Sequence, residues 1–459
     1  MEPTTADVAV IGLGPGGEAV ATKLAGSGLD VVGVDRRLVG GECPYFGCVP
    51  TKMMLRAAGA LAEAHRVPVL AGDVSVHPSW SPVADRIRDE ATDDWDDTVA
   101  VERFQATGGR FIRGTGRISA PDEVTVDTGA GEQVITLRKG IVLNPGGEPS
   151  IPPIEGLTET PYWTNREAVQ AREVPDSLIV LGGGAIGLEF AQVFVRFGTG
   201  VTILEAADHI LPGGEPEAAE IVAGVLRSDG VDLRTGVRAQ RINHDGSGFT
   251  VGLSDGGRVT ASNLLVAVGR ASDLRELGVG AVGIDVSGRT IDTDEHLRAA
   301  PGVWVVGDVA GRGAFTHMSM YHAAIVVDDI TGKGELTAEY HAVPAVTFTD
   351  PEAAQVGLTE AAAREQGLDV RTGTASVPST SRGWIHKVGN EGVIKVVADA
   401  TRGVLVGATV VAPFGGEVIG ALAVAVHARV PVAGLRRMIY AYPTLHRGIE
   451  DALNDLNLS

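Results

Sequence analysis

Val8-Ala9-Val10-Ile11 is a short continuous apolar run, the pattern of a buried strand, and a helical stretch follows through Leu24. Between them stands Gly12-Leu13-Gly14-Pro15-Gly16-Gly17. A second apolar run, Val31 to Val34, ends in Asp35. The same order then recurs. Ser177 to Leu181 reads as a strand, Gly182-Gly183-Gly184-Ala185-Ile186-Gly187 opens a helix, and Val201 to Leu204 leads to Glu205. Gly12 to Asp35 and Gly182 to Glu205 both span 23 positions. Further on, residues 53–110 read as helices around a polar loop, with Asp93-Asp94-Trp95-Asp96-Asp97 a solvated face.

Each strand–glycine–helix–strand–acid unit has the chemistry of a dinucleotide site. The first glycine permits a tight turn, the second lets backbone approach a pyrophosphate, and the third lets helix pack on strand. The helix N-terminus offers unpaired N–H groups to the phosphates, and the acid can accept ribose hydroxyls. Two such sites on one plan suggest that electrons pass from one dinucleotide to the other. Glu205 would accept the 2′- and 3′-hydroxyls and repel a 2′-phosphate, and Ala206 and Ala207 supply no cation, so NADH is expected over NADPH.

Composition narrows the partners. The 459 residues are too many for one core and predict about three domains. A formal net charge of −20 argues against nucleic acid and anionic membrane surfaces. The longest apolar stretches, Val404 to Phe414 and Val418 to Val426, are too short to span a bilayer. The first residues carry no basic region or apolar signal segment, so a soluble cytoplasmic protein is expected.

Only two cysteines occur, Cys43 and Cys48, in Gly41-Glu42-Cys43-Pro44-Tyr45-Phe46-Gly47-Cys48-Val49-Pro50-Thr51-Lys52. Used twice and five positions apart, beside a nucleotide fingerprint, cysteine points to electron chemistry; two unrelated buried thiols are the bland alternative. Residues five apart on an ideal helix rise by about 7.5 Å, whereas a disulfide needs α-carbons within about 7 Å. A bridge therefore requires a distorted turn, which Pro44 and Gly47 can provide.

With these features together, the chain resembles the pyridine nucleotide–disulfide oxidoreductases, the flavoprotein family of lipoamide dehydrogenase, glutathione reductase and mercuric reductase. The likeness rests on the cysteine segment from Gly40 to Lys52, on Arg298 through Gly302-Val303-Trp304-Val305-Val306-Gly307-Asp308, and on Val343-Pro344 through Asp350-Pro351-Glu352. It implies an α/β fold of two Rossmann-like dinucleotide-binding domains, for FAD and NAD, plus a C-terminal α+β dimerisation domain. The boundaries expected are 1–148 with 270–338 for FAD, 149–269 for the nicotinamide, and 339–459 for the interface. FAD would lie on Gly12, Gly14, Gly17 and Asp35, the nicotinamide on Gly182, Gly184, Gly187, Glu205 and Gly269. Cys48 would exchange electrons with the flavin and Cys43 would attack a substrate. Lys52 would approach the flavin and pair with Glu189, and Asp308 would hydrogen-bond the ribityl chain. No metal ligand set is implied. Homodimerisation would combine Cys43 of one subunit with Tyr442 of the other around a small-molecule substrate.

Three departures stand out. Ile141 through Asn144-Pro145-Gly146-Gly147 replaces the family's Ala-Thr-Gly turn, and Pro145 removes a backbone donor. His317 occupies a helix start that the family lays near the flavin pyrimidine. Most consequentially, the family's catalytic His–Glu dyad is absent, with Tyr442 at the histidine position and Arg447 at the glutamate position. Histidine titrates near pH 6.5; a tyrosine, near 10, would need a depression of about three units, roughly 4 kcal/mol, to act as a base. Tyr442 is thus more credible as a proton donor or hydrogen-bond partner than as a base. His446, four residues on around a helix start at Thr444, is a possible substitute. Mercuric reductase is the relative known for tyrosine at this place, but no cysteine follows Cys48, which argues against efficient mercury reduction. The sequence therefore supports an FAD-dependent oxidoreductase reducing a small disulfide or other electrophile. Its alternatives are an NADH-dependent flavin enzyme acting on a quinone, metal ion or specialised metabolite, and a docking subunit of a larger dehydrogenase complex.

Overall fold

Apolar runs flanked by glycine turns form parallel strands whose carboxyl ends line up, and that alignment positions most of the site. The computed structural model describes residues 4–458. The chain divides into two units, Met1–Pro50 with Asp85–Pro149 and Arg270–Glu339, and Thr51–Ala84 with Ser150–Gly269 and Tyr340–Ser459.

The first unit is built on an eight-stranded sheet. Its spine runs Arg298–Ala300, Val303–Val305, Glu132–Leu143, Thr4–Ile11, Val31–Asp35, Arg110–Arg113, with the hairpin Thr115–Ala120 and Glu123–Asp127 attached to Glu132–Leu143. Registers Ile11↔Val34, Ile11↔Leu143 and Val305↔Leu143 are parallel. One edge therefore carries Gly12, Asp35, Asn144 and Gly307-Asp308, the carboxyl edge where open parallel sheets bind ligands. Both faces of the sheet are covered, so its strands are continuously apolar.

The second unit holds a parallel four-stranded sheet, Asp232–Arg234, Gly200–Leu204, Ser177–Leu181 and Asn263–Val266, with registers Leu181↔Leu204 and Val266↔Leu181. Its carboxyl edge carries Gly182, Glu205 and Ala267. The unit also contains a five-stranded antiparallel sheet in the order Pro344–Thr347, Glu352–Gly357, Val404–Ala412, Val393–Asp399, Val370–Ser376. Helices Gly415–His427 and Arg447–Asp455 pack their apolar residues onto it. The run from Val404 is thus a central strand, buried along its whole length. Among the described residues no helix is long and apolar enough to cross a membrane.

Two local expectations need correction. The helix expected to begin at Thr444 begins at Arg447. Before it the backbone turns, with Arg447 N–H on Thr444 O and Gly448 N–H on Leu445 O. Thr444 lies in this turn, its hydroxyl donating to Ala441 O at 2.7 Å and accepting from Arg447 N–H at 3.3 Å. The 93–97 segment is likewise not a simple solvated face: Asp97 is buried and accepts from Val39 N–H and Arg113.

Candidate active site

The two fingerprints repeat in three dimensions down to single hydrogen bonds. Gly12 has φ +90°, and a Cβ there would lie 2.1 Å from Asn144 O. Gly182 has φ +108°, and a Cβ would lie 2.4 Å from Ala267 O. Only glycine lets the turn touch the neighbouring strand so closely. Gly17 and Gly187 stand against the carbonyls of Gly12 and Gly182, each fixing helix to loop. The acids close both loops. Asp35 accepts from Leu13 N–H and Arg37 N–H, each at 2.7 Å. Glu205 accepts from Gly183 N–H at 2.6 Å and Ala207 N–H at 2.7 Å. Each carboxylate retains lone pairs for ribose hydroxyls. Gly14 and Gly184 are the N-caps of the helices Pro15–Gly26 and Ala185–Arg196, and neither supplies a side-chain cap to the first turn. A Cβ on Gly184 would meet nothing within 4 Å. Both loops thus fit a dinucleotide phosphate by donor chemistry, and the second also by the open space at Gly184. Gly269 has φ +117°, its carbonyl accepts from Ser150 N–H at 2.9 Å, and the space beside it is open.

The cysteine segment is seated directly on the first fingerprint. Gly40 N–H donates to Leu13 O at 2.7 Å, and a Cβ on Gly41 would lie 2.8 Å from Gly14 Cα. Gly40 and Gly41 have φ +104° and +69°. Cys43 lies on a four-residue helix, Glu42–Tyr45, and Cys48 begins the helix Cys48–Leu70. Phe46 and Gly47 break the chain between them, the kind of distortion a bridge across this spacing requires. Cys43 is half-buried and Cys48 exposed. Cys48 Sγ lies 3.3 Å from Thr316 Oγ1 in the first turn of the helix Thr316–Ile330. His317, beside it, is exposed and stacked on Phe315.

Asp308 sits half-buried at the sheet edge; burial raises its pKa, with the Arg270 guanidinium pulling the other way. Arg270 bonds Gly147 O and lies 3.5 Å from Glu42. Burial also raises the pKa of Asp35. In the second unit, Lys52 Nζ donates to Glu189 Oε2 at 2.8 Å and lies 4.6 Å over the Phe348 ring. Glu189 is buried, and its other oxygen accepts from Phe348 N–H at 2.9 Å. Tyr442 is 71% exposed. His446 is also exposed and stands at the N-cap position of the helix Arg447–Asp455 without a side-chain cap bond, while Arg447 bonds Glu450 on that same helix.

Two residues of this edge went unpredicted. Asn144, half of the unusual Asn-Pro turn, is buried. With its amide oriented to pair donors with acceptors, it accepts from Gly17 N–H and donates to Ser319 Oγ and Val306 O, each at 3.2 Å. His322 is fully buried and its Nδ1 accepts from Gly307 N–H at 3.1 Å. Burial, then nearby Arg312, lowers its pKa to about 4, so it is neutral at pH 7. A polar residue immediately after a buried strand was a usable signal for Asn144. Nothing in the helix pattern singled out His322.

The family described as pyridine nucleotide-disulphide oxidoreductase matches residues 6–325, and its dimerisation domain matches residues 343–453. A mercuric reductase from Streptomyces lividans is 32% identical over 450 residues, covering 97% of this chain and 94% of its own. A dihydrolipoyl dehydrogenase from Thermus scotoductus is 33% identical over 469 residues, covering 99% and 98%. Among solved structures, the Cu(II) complex of the HOCl-induced flavoprotein disulfide reductase RclA from Escherichia coli has a TM-score of 0.84 at 28% identity, covering 98% of this chain and 99% of its own.

Proposed function

The chain belongs to the pyridine nucleotide–disulphide oxidoreductases, and we propose that it uses NADH to reduce a small disulfide through Cys43 and Cys48. The observation that carries this is the seat of the cysteine segment on the Gly12–Gly17 loop, with Gly41 against Gly14. FAD on that loop would relay two electrons between a nicotinamide and the cysteine pair. It would be held by Gly12, Gly14, Gly17, Asp35 and Asp308. Gly182, Gly184, Gly187, Glu205 and Gly269 would hold the nicotinamide cofactor. Glu205, with no cation in the two positions after it, supports NADH over NADPH.

Once reduced, the pair acts as a dithiol. The Cys43 thiolate attacks one sulfur of the substrate, forming a mixed disulfide and expelling the first thiolate, which takes up a proton. Cys48 then attacks Cys43 Sγ, restoring the Cys43–Cys48 bond and releasing the second thiolate, which takes up another. Tyr442 of the partner subunit is the proposed donor, through its phenolic O–H. His446 of the partner subunit is the other titratable group in that turn. The dimerisation domain supports a homodimer, and the proposal adds that each site is completed across its interface.

A second reading is favoured by Arg447, which bonds Glu450 and puts no carboxylate where a base would be oriented. On this reading the acceptor needs no His–Glu dyad: a metal ion takes up electrons alone, and the two protons of a quinone's reduction to hydroquinone come from water. The copper complex of RclA and the mercuric reductases make metal ions the first to try. Among the described residues no group of three or more His, Cys, Asp or Glu side chains could hold such an ion. It would act as a substrate reduced without exchange at Cys43.

One experiment separates the readings. Holoenzyme incubated anaerobically with NADH should gain two iodoacetamide-reactive thiols, at Cys43 and Cys48, counted by mass spectrometry. Disulfide turnover should vanish in both Cys43→Ser and Cys48→Ser. Quinone or metal-ion turnover that survives Cys43→Ser would favour the second reading. An unchanged thiol count would overturn the first.

A further inference from the structure

The helix that carries Cys43 is four residues long, too short to hold itself by internal bonds. Whatever fixes the two sulfurs relative to one another must therefore come from outside it, and the segment 93–97 supplies it. Trp95 Nε1–H donates to Tyr45 O at 3.2 Å, satisfying a carbonyl at the end of that helix. The Trp95 ring stacks on Phe46, with centroids 6.5 Å apart and planes at 22°. The Tyr45 hydroxyl reaches Asp96 O at 3.5 Å, and Asp97 accepts from Val39 N–H at 2.6 Å. The cysteine segment is thus gripped before Gly40-Gly41 and again at Tyr45-Phe46, between the two cysteines.

The grip has a conformational cost. Asp93, Asp94 and Trp95 have φ of 49°, 53° and 60°, three consecutive non-glycine residues in the left-handed region. Such a conformation persists only where surrounding contacts impose it, and it tends to mark functional sites. Here it delivers the indole to the backbone between the cysteines.

We propose that Trp95 is a positioning residue for the Cys43–Cys48 pair, holding the loop in the conformation in which the disulfide closes. This rests on reading the pair as redox-active. The balance between dithiol and disulfide depends on the effective concentration of one sulfur at the other, and a loosened loop lowers it. Trp95 touches neither sulfur in this role. It acts through Tyr45 O and the Phe46 ring.

The test is a thiol–disulfide equilibrium on the holoenzyme. Protein is equilibrated anaerobically in mixtures of reduced and oxidised dithiothreitol, quenched with acid, alkylated and counted by mass spectrometry. In the exchange, the two protein thiols lose two electrons and two protons as they form the Cys43–Cys48 bond. The cyclic disulfide of the reagent gains them. Trp95→Ala should shift the midpoint toward the dithiol by about fivefold or more. Trp95→Phe keeps a ring on Phe46 but loses the N–H donor, and should fall between wild type and Trp95→Ala. Because Trp95→Phe preserves bulk, it carries the test if Trp95→Ala folds poorly. If both variants stay within about twofold of wild type, the proposal is overturned while the redox reading stands. A wild type that forms no Cys43–Cys48 disulfide in any mixture overturns both.

Discussion

At the scale of single residues, two side chains invite direct tests. Glu205 holds the second glycine loop through Gly183 N–H and is the proposed ribose ligand. Hydrogen bonds to a charged acceptor contribute about 1.5–3 kcal/mol. Glu205→Ala should therefore lower kcat/KM for NADH by about tenfold or more, and for NADPH by less. Steady-state kinetics with both cofactors would show it, and equal losses would remove Glu205 from the specificity argument. His322 sets a pH dependence. Its pKa falls from 6.5 to about 4 on folding because burial disfavours the imidazolium, with Arg312 adding to the effect. The unfolded chain thus binds the proton more readily, so this stabilisation is complete above about pH 6.5 and is lost as pH falls toward 4. The change is worth roughly 3 kcal/mol. Urea unfolding at pH 7 and pH 4.5 should show His322→Gln losing less stability on acidification than wild type. A slope identical to wild type would mean that His322 does not carry the effect.

Elements in the second unit are joined by a buried charge cluster that no periodicity announces. Lys395, on the strand Val393–Asp399, donates to Glu215 at 2.9 Å and Glu217 at 2.7 Å, and lies 3.0 Å from Glu360. These carboxylates cap or open the helices Pro216–Ser228 and Glu360–Glu365, so one ammonium ties two helix starts to one strand. Lys395 and Glu215 are each 4% exposed, and the surrounding carboxylates raise the lysine's pKa against the effect of burial. Removing one partner of such a group leaves an uncompensated buried charge, at about 3–5 kcal/mol. Lys395→Met should lower stability by that amount in denaturant titration, and adding Glu215→Gln should recover part of it. A loss under about 1 kcal/mol would mean that water reaches the cluster.

On the scale of the whole molecule, the proposed assembly makes a mixing experiment decisive. Cys48→Ser subunits and Tyr442→Ala subunits would each form inactive homodimers. If each site joins the cysteines of one subunit to Tyr442 of the partner subunit, a mixed dimer regains one intact site. Equal co-refolding should then restore about a quarter of wild-type disulfide reductase activity. No recovery, with mixed dimers verified by native mass spectrometry, would place the proton donor elsewhere.

Much of this was legible beforehand, and the reason is local. A glycine turn, a strand and a terminal acid leave their marks within 23 positions, so both dinucleotide loops and the cysteine segment could be read from residue order alone. The acids' bonds back to the loops follow from that order, because each acid ends the strand beside its glycine turn. What tertiary structure alone decided depends on partners far apart in the chain. Lys52 meets Glu189 across 137 positions, and Asn144 meets Ser319 across 175. His322 becomes neutral only because packing removes water from it. Trp95 reads as part of an acidic surface loop until the fold lays its indole on Tyr45 and Phe46. Short-range backbone geometry writes itself into composition and spacing, whereas desolvation and long-range pairing exist only once the chain has closed on itself.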